Sequence, residues 1–280
     1  MVLIADGGST KVEWCVVNKG VVEKKVISEG LNPFIRTYEE IYKEININVI
    51  PLFKDFSIDT IYFFGTGCLS LSKNDILKKA IVNNLNVKNI FIESDLVGAA
   101  KGLLGNNSGI VGILGTGSNS CFYDGNKITE QIPPLGYIIG DEGSGAVLGK
   151  IFLNACLKNQ LTKGIKEKFL ENYNLTIPEI LDKVYHQSMP NRFLGTIFQF
   201  MTLNIQDDSV YELIKNSLSD FFIKNIMQYD YKNHSVHLTG SVAYVLEELV
   251  RHVAAKLSIN IENIVQTPMD GLVKYYDSIL

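Results

Sequence analysis

The chain has 280 residues, of which 46% are hydrophobic and 20% charged, with a formal net charge of −4. That length can bury a sizeable core as one large domain or two ordinary ones. The acidic balance excludes a general attraction to nucleic acid or anionic lipid, so any phosphate must be held locally by backbone amides.

In chain order, VLIA (2–5), VEWCVV (12–17), VVEKKVI (21–27) and TIYFFG (60–65) read as strands. Between them, 37–50 reads as a helix with Ile41, Ile45 and Val49 at helical spacing. NIFIES (89–94) is a further strand and LVGAAKGLLG (96–105) a small-residue helix. A second strand cluster follows at 109–114, 119–124 and 127–132. From about 144 to 230 the pattern is mostly helical, including 211–229. VHLTG (236–240) returns to strand, 242–257 reads as a long amphipathic helix, and 271–280 as a short terminal helix.

No apolar stretch reaches the length of a membrane span, and the start MVLIADGGST lacks a signal peptide's charge and apolar layout. Cys15, Cys68, Cys121 and Cys156 lie far apart with no C-x-x-C pair. That spacing argues against a zinc site and a disulfide framework, and fits a reducing cytoplasm.

VLIADGGSTKVEWCVVNKG and IVGILGTGSNSCFYDGNK share one grammar: apolar strand, Gly/Ser/Thr turn, second strand, polar turn with Gly. The echo points to two related α/β halves, each offering a polar turn to a common cleft. Coincidence is the alternative, because hairpins with Gly turns are common.

The turns carry the candidate chemistry. In DGGSTK, Gly7 and Gly8 permit close backbone approach, Ser9 and Thr10 add hydroxyls, and Asp6 could hold the water shell of Mg²⁺. It is not a P-loop, since Lys11 leads into a strand rather than a helix, and an ordinary hairpin is the plainer reading. Gly115, Thr116, Gly117, Ser118 and Asn119 repeat the same physics without the carboxylate. Asp95 closes NIFIES before a helix; it reads as an N-cap or as a general base for a substrate hydroxyl. Glu93, two residues earlier, could share its face. In GYIIGDEGSG, Gly136, Asp141 and Glu142 precede a helix start at Ser144, where acids are stabilised by the dipole or bind sugar hydroxyls. Gly240 and Ser241 form a strand-to-helix turn against which an adenosine could lie. The four histidines form no catalytic pattern, and Trp14 reads as core.

The ordered set DGGSTK, SDLVGAAKG, GTGSN, GDEGSG and LTGSVA resembles the acetate kinase/sugar kinase/Hsp70/actin superfamily. More narrowly it resembles the BadF/BadG/BcrA/BcrD ATPase family in its N-acetylglucosamine kinase branch, as found in Bacteroidetes bacteria. GLNPF (30–34), PPLGY (133–137), VYHQSMPNRFLG (184–195) and TPMDGLVKYY (267–276) extend the likeness over essentially the whole chain. The resemblance implies an α/β protein of two RNase H-like lobes with a central cleft. Residues 1–97 plus 268–280 would form one lobe and 98–267 the other, the C-terminal helix returning to the first. It implies Asp95 as catalytic base and Asp6 on the Mg²⁺ side, directly or through water. Gly7, Gly8, Ser9, Thr10, Lys11, Gly115, Thr116 and Gly117 would meet the ATP phosphates, and Gly240 and Ser241 the adenosine. Asn32, Ser118, Asn119, Gly136, Asp141 and Glu142 would meet the sugar. Val12 departs from the pattern, standing where many relatives carry a Thr.

The expected activity is ATP- and Mg²⁺-dependent phosphorylation of an amino sugar, N-acetyl-D-glucosamine at O6, in the cytoplasm. The partners are sugar and ATP, without nucleic acid or membrane, and a homodimer is left open. The alternatives are another sugar (glucosamine, glucose, N-acetylmuramic acid), a sugar-binding regulator without turnover, or a partner-activating ATPase. The last is disfavoured because no cysteine pair is placed for an iron–sulfur cluster. A repressor is disfavoured because the first strand begins at once, with no DNA-binding segment expected before it.

Overall fold

The apolar alternation at the start of the chain closes into a sheet built around one hairpin. In the computed structural model, which describes residues 1–68, 70–82 and 87–278, the chain opens with β1 (Val2–Gly7), β2 (Lys11–Asn18) and β3 (Val21–Glu29). α1 (Tyr38–Glu44), β4 (Thr60–Gly65), α2 (Leu71–Val82), β5 (Asn89–Ser94) and α3 (Asp95–Leu104) follow. Next come β6 (Gly109–Leu114), β7 (Ser118–Tyr123) and β8 (Ile128–Ile132). A helical stretch holds α4 (Gly136–Ile139), α5 (Gly145–Leu157), α6 (Ile165–Tyr173), α7 (Ile177–Tyr185), α8 (Pro190–Leu203) and α9 (Asp208–Lys224). β9 (Val236–Thr239), α10 (Ser241–Val245), α11 (Glu247–Lys256), β10 (Ile261–Val265) and α12 (Met269–Asp277) end the chain.

Two five-stranded sheets result among the described residues. In the first, ordered β3-β2-β1-β4-β5, β1 pairs antiparallel with β2 and parallel with β4, and β4 pairs parallel with β5. The second is ordered β10-β9-β6-β7-β8. Read from β8, its strands run third, second, first, fourth, fifth, the order of the first sheet. The two hairpins that echo each other in sequence therefore hold equivalent places. The chain divides into two compact units: Met1–Val111, Cys121–Glu130 and Val265–Leu280 form one, Gly112–Ser120 and Gln131–Ile264 the other.

Strand alternation sorts the first sheet's core into two faces. Leu3, Ala5, Trp14 and Phe63 pack with Ile41 and Leu77 from α1 and α2. Ile4, Cys15 and Phe64 pack with Met269, Leu272 and Tyr276 from α12. Trp14 is buried as expected, and its indole N–H donates to Ser28 Oγ at 2.9 Å. All four cysteines are buried and unpaired. No helix among the described residues is long and apolar enough to cross a membrane.

Several boundaries differ from the sequence reading. The helix expected over 37–50 is α only to Glu44, then a π turn (Ile45–Val49) and a 3-10 turn (Ile50–Leu52), where Pro51 removes a backbone donor. The 242–257 helix breaks at Leu246 into α10 and α11. α2 and β10 were not anticipated, and the last helix begins earlier, at Met269; residues 279–280 of that expectation lie outside the described residues.

α12 crosses α3 where Gly271 lies on the Gly102 backbone and Gly102 on Pro268, leaving no room for a side chain at either position. Gly271→Ala therefore overpacks this crossing by about 1–3 kcal/mol. That outweighs the helix propensity gain of about 1 kcal/mol, so the midpoint of urea unfolding falls.

Candidate active site

The parallel register of the first sheet brings the candidate residues of the first unit together. Gly7 pairs with Gly65, and Gly65 with Ser94, so β1, β4 and β5 end level. The next residues along the chain, Gly8, Thr66 and Asp95, stand at the carboxyl ends of parallel strands, where α/β sheets collect ligands.

Asp95 is not the N-cap of α3. Ser94 takes that place, its Oγ accepting from Val97 N–H at 3.4 Å. The Asp95 carboxylate, in the first turn of the helix, is held from two sides. Oδ1 accepts the Leu96 N–H at 2.9 Å, and Oδ2 accepts the Thr66 hydroxyl at 2.6 Å. Glu93 does not share its surroundings; it pairs with Lys101 at 2.6 Å.

The hairpin turn closes through Gly8 N–H to Lys11 O at 2.9 Å, and Gly30 N–H donates to Thr10 O at 2.9 Å. Gly30 packs on the carbonyls of Gly8 and Ser9, where a side chain would clash. Two residues on, Asn32 is buried, and its Oδ1 accepts Phe34 N–H at 2.9 Å. A backbone N–H requires an acceptor, which fixes the amide and leaves Nδ2 as the donor. Gly67, at φ +84°, sets its bare α-carbon against Asn32 Oδ1. One unit thus gathers Asp6, Gly7, Gly8, Ser9, Thr10, Lys11, Asn32 and Asp95. The Thr66–Gly67 turn was missed by the sequence reading; its signal was a Gly-Thr-Gly at 65–67 matching that at 115–117.

Negative charge dominates here. Burial, reinforced by Asp95 and Glu13 nearby, pushes the Asp6 carboxyl up from 3.8 to about 7, against the weaker pull of Thr267 and Lys11. The Thr267 hydroxyl lies 3.3 Å from Asp6 Oδ2 and 3.1 Å from Glu13 Oε2. Burial also raises Asp95, opposed by the Thr66 hydroxyl and the Leu96 N–H. Among the described residues no group of three or more His, Cys, Asp or Glu forms a metal cage. Mg²⁺, however, keeps much of its water and needs only one or two carboxylates plus phosphate oxygens. Asp6 fits that demand, being a hard oxygen donor whose ionised form the chain alone compensates poorly.

In the second unit, Gly115 N–H donates to Gly117 O at 2.9 Å, while Gly145 N–H and Ala146 N–H donate to Gly115 O and Thr116 O at 2.8 and 3.1 Å. The turn is thereby pinned to the first residues of α5, whose N-cap is Ser144 as expected. Asp141, at φ +52°, accepts backbone N–H bonds from Ser118 and Gly136; burial nonetheless raises it to about 6. Glu142 faces α9, at 3.6 Å from Lys224 and 3.5 Å from Asn225 Nδ2. Asn119 Oδ1 accepts from Ser120 N–H at 2.9 Å and Gln131 Nε2 at 3.1 Å, again leaving Nδ2 as the donor. Gly240, at φ +110°, lies on Leu114 O and Gly115 N, so neither its dihedral nor its space admits a side chain. Ser241 opens α10 behind it. The preceding Thr239 hydroxyl is buried without a hydrogen-bond partner among the described residues. Four residues after Gly240 begins a cavity of roughly 680 Å³ lined by Ile205, Tyr211, Tyr244, Val245 and His252, which no sequence motif announced.

No family model matches the chain, and no curated protein matches it. Solved structures do. A Porphyromonas gingivalis protein superposes with a TM-score of 0.96 at 39% identity, covering 99% of each chain. A Chromobacterium violaceum protein superposes at 0.76 with 13% identity over 98% of each chain. Both are described as putative N-acetylglucosamine kinases. A ROK family glucokinase from Streptomyces griseus, in complex with glucose and AMPPNP, superposes at 0.58 with 16% identity, covering 99% of this chain and 98% of its own. The architecture is the α/β fold of the actin, Hsp70 and sugar kinase superfamily. Within it, the chain belongs to the same family as the Porphyromonas gingivalis protein, a family of sugar kinases.

The Asp6 environment yields a stability prediction. With its folded value near 7 and its ordinary value at 3.8, the folded chain binds this proton more tightly than the unfolded one between those limits. Its contribution to stability therefore falls as pH rises through that window. Asp6→Asn raises the melting temperature of the nucleotide-free protein at pH 8 by about 2–4 °C, and by less at pH 5, in paired thermal melts.

Proposed function

We propose that the chain is an ATP-dependent kinase of an amino sugar, N-acetyl-D-glucosamine, acting at O6. We further place it in the N-acetylglucosamine kinase branch of the BadF/BadG/BcrA/BcrD ATPase family. The observation that carries this reading is Asp95, a carboxylate fixed at both oxygens where parallel strands end beside the Asp6–Lys11 hairpin turn. The 39% identity to the Porphyromonas gingivalis protein supports the choice of sugar.

Asp95 takes the proton of the 6-hydroxyl as that oxygen attacks the γ-phosphorus and the bond to ADP breaks. Asn32 and Asn119 offer amide donors to sugar oxygens, and Asp141, with Ser118 and Gly136 at its carboxylate, accepts from hydroxyls. Glu142 acts beside it, tied to Lys224 and Asn225. Gly7, Gly8, Ser9, Thr10 and Lys11 cradle phosphate, and Gly115, Thr116 and Gly117 offer the same kind of turn to phosphate. Adenosine lies on Gly240 and Ser241, its base in the cavity beside Tyr244. Asp6 would hold Mg²⁺, directly or through water, and the ion would supply charge neutralisation for the transferring phosphate. The catalytic gain is positioning and charge stabilisation.

The test is ADP release with Mg²⁺-ATP across N-acetylglucosamine, glucosamine, glucose and N-acetylmuramic acid. N-acetylglucosamine gives the highest kcat/KM; another sugar in first place corrects the substrate, and no sugar-dependent release overturns the kinase reading. Asp95→Asn lowers kcat by about 10²–10⁴-fold while sugar binding, by calorimetry, is kept. Tyr244→Ala raises the KM for ATP and leaves that for sugar unchanged in the same assay.

A further inference from the structure

The turn after β4 touches the candidate base, and nothing in the motif set accounts for it. We propose that Thr66 is a positioning residue for Asp95, its hydroxyl fixing the carboxylate in the orientation that receives the substrate proton. This rests on the phosphotransfer reading above.

The placement follows from strand register. Gly65 lies between Gly7 and Ser94 in the sheet, so one step beyond the ends of β4 and β5 sets Thr66 beside Asp95. The Thr66 backbone is itself anchored, its N–H donating to Gly7 O at 2.8 Å. Cys68 N–H returns to Gly65 O at 3.1 Å, closing a four-residue turn. Gly67 fills its third position with φ +84°, a conformation that favours glycine. The hydroxyl thus sits on a rigid corner, and a β-branched residue there has few χ1 choices.

The bond is short, 2.6 Å from Thr66 Oγ1 to Asp95 Oδ2, while Oδ1 is taken by Leu96 N–H at 2.9 Å. A carboxylate held at both oxygens cannot swing without losing a bond, yet each oxygen keeps a second lone pair for a proton. Thr66 donates to the ionised carboxylate, and so favours the form that a base requires in a site where burial opposes it. The neighbouring Gly67 fixes Asn32 in the same step of chain, since a side chain there would overlap Asn32 Oδ1. A single turn therefore sets both the proton acceptor and a donor proposed for the sugar.

The experiment compares wild type, Thr66→Val, Thr66→Ser, Asp95→Asn and the Thr66→Val/Asp95→Asn double variant. Val keeps the shape of Thr and removes the donor; Thr66→Ala replaces it if Val does not fold. Thr66→Val lowers kcat by about 10- to 100-fold, with KM for sugar and ATP within about 3-fold of wild type and an unchanged melting temperature. Thr66→Ser recovers most of the lost kcat. In the double variant, Thr66→Val costs nothing beyond Asp95→Asn, because its effect passes through that carboxylate. Wild-type kcat in Thr66→Val, or full additivity in the double variant, overturns the assignment of Thr66 alone. Absence of sugar-dependent ADP release in the wild type overturns the kinase reading and this inference together.

Discussion

The level ends of β1, β4 and β5 are the constraint on which the first unit's site depends. Parallel pairing fixes Gly7, Gly65 and Ser94 in one row. Because side chains alternate along strands and the next residues lie beyond the pairing, the register decides which side chains meet. A slip of one residue in either pairing would exchange the faces of the strand and bury the wrong set. Two packed cores enforce the register, one beneath Trp14 and Phe63 and the other beneath Phe64 and Tyr276. Tyr276 stacks on Tyr62 with ring centroids 3.8 Å apart, which ties α12 to the strand that leads into Thr66. The core thus holds the strand ends level, with Gly8 and Thr66 on the turns that follow β1 and β4 and Asp95 opening α3.

The electrostatic consequence is a site built against its own stability. Asp6, Glu13 and Asp95 bring negative charges together, with Thr267 spanning the first two and Lys25 lying 3.5 Å from Glu13. A fold selected for stability alone would replace one of these carboxylates. Retaining them makes sense if a cation and phosphate complete the balance on binding, when the same charges become attractive. Asp141 in the second unit repeats the pattern in milder form, raised by burial to about 6 while two backbone N–H groups hold it.

How much of this was legible in the sequence follows from how locally each feature is encoded. The hairpins at 6–11 and 115–119 announced themselves, because small residues between apolar runs have few other uses. Helix starts at Ser144 and near 95 were visible for the same reason, though the capping side chain proved to be Ser94, with Asp95 inside the first turn. α2 escaped because only part of it faces the core: Leu77, Ala80 and Ile81 are buried while its polar remainder reads as loop. β10 escaped because IENIV is short and half exposed, its pairing set by β9 rather than by its own pattern. The Thr66–Asp95 bond joins residues 29 apart in the chain. No periodicity encodes such a contact; it exists only once three strands are in register. The cavity beside Tyr244 is likewise a product of packing between segments distant in sequence.

The repeated sheet order gives the deeper reason why similar turns recur. Each sheet places a small-residue hairpin turn after its central strand, β1 in one and β6 in the other. The two turns are then stabilised in different ways. The first is braced by Gly30 and stands beside carboxylates. The second surrenders two carbonyls to the N–H groups of α5 and closes against Gly240. Each specialisation uses glycine where a side chain would collide, and each leaves the turn itself narrow and backbone-lined. A net charge of −4 gives the chain no general attraction for an anion. Backbone amides in narrow turns of this kind can face an anion without the penalty of burying a lysine, since an amide dipole carries no net charge.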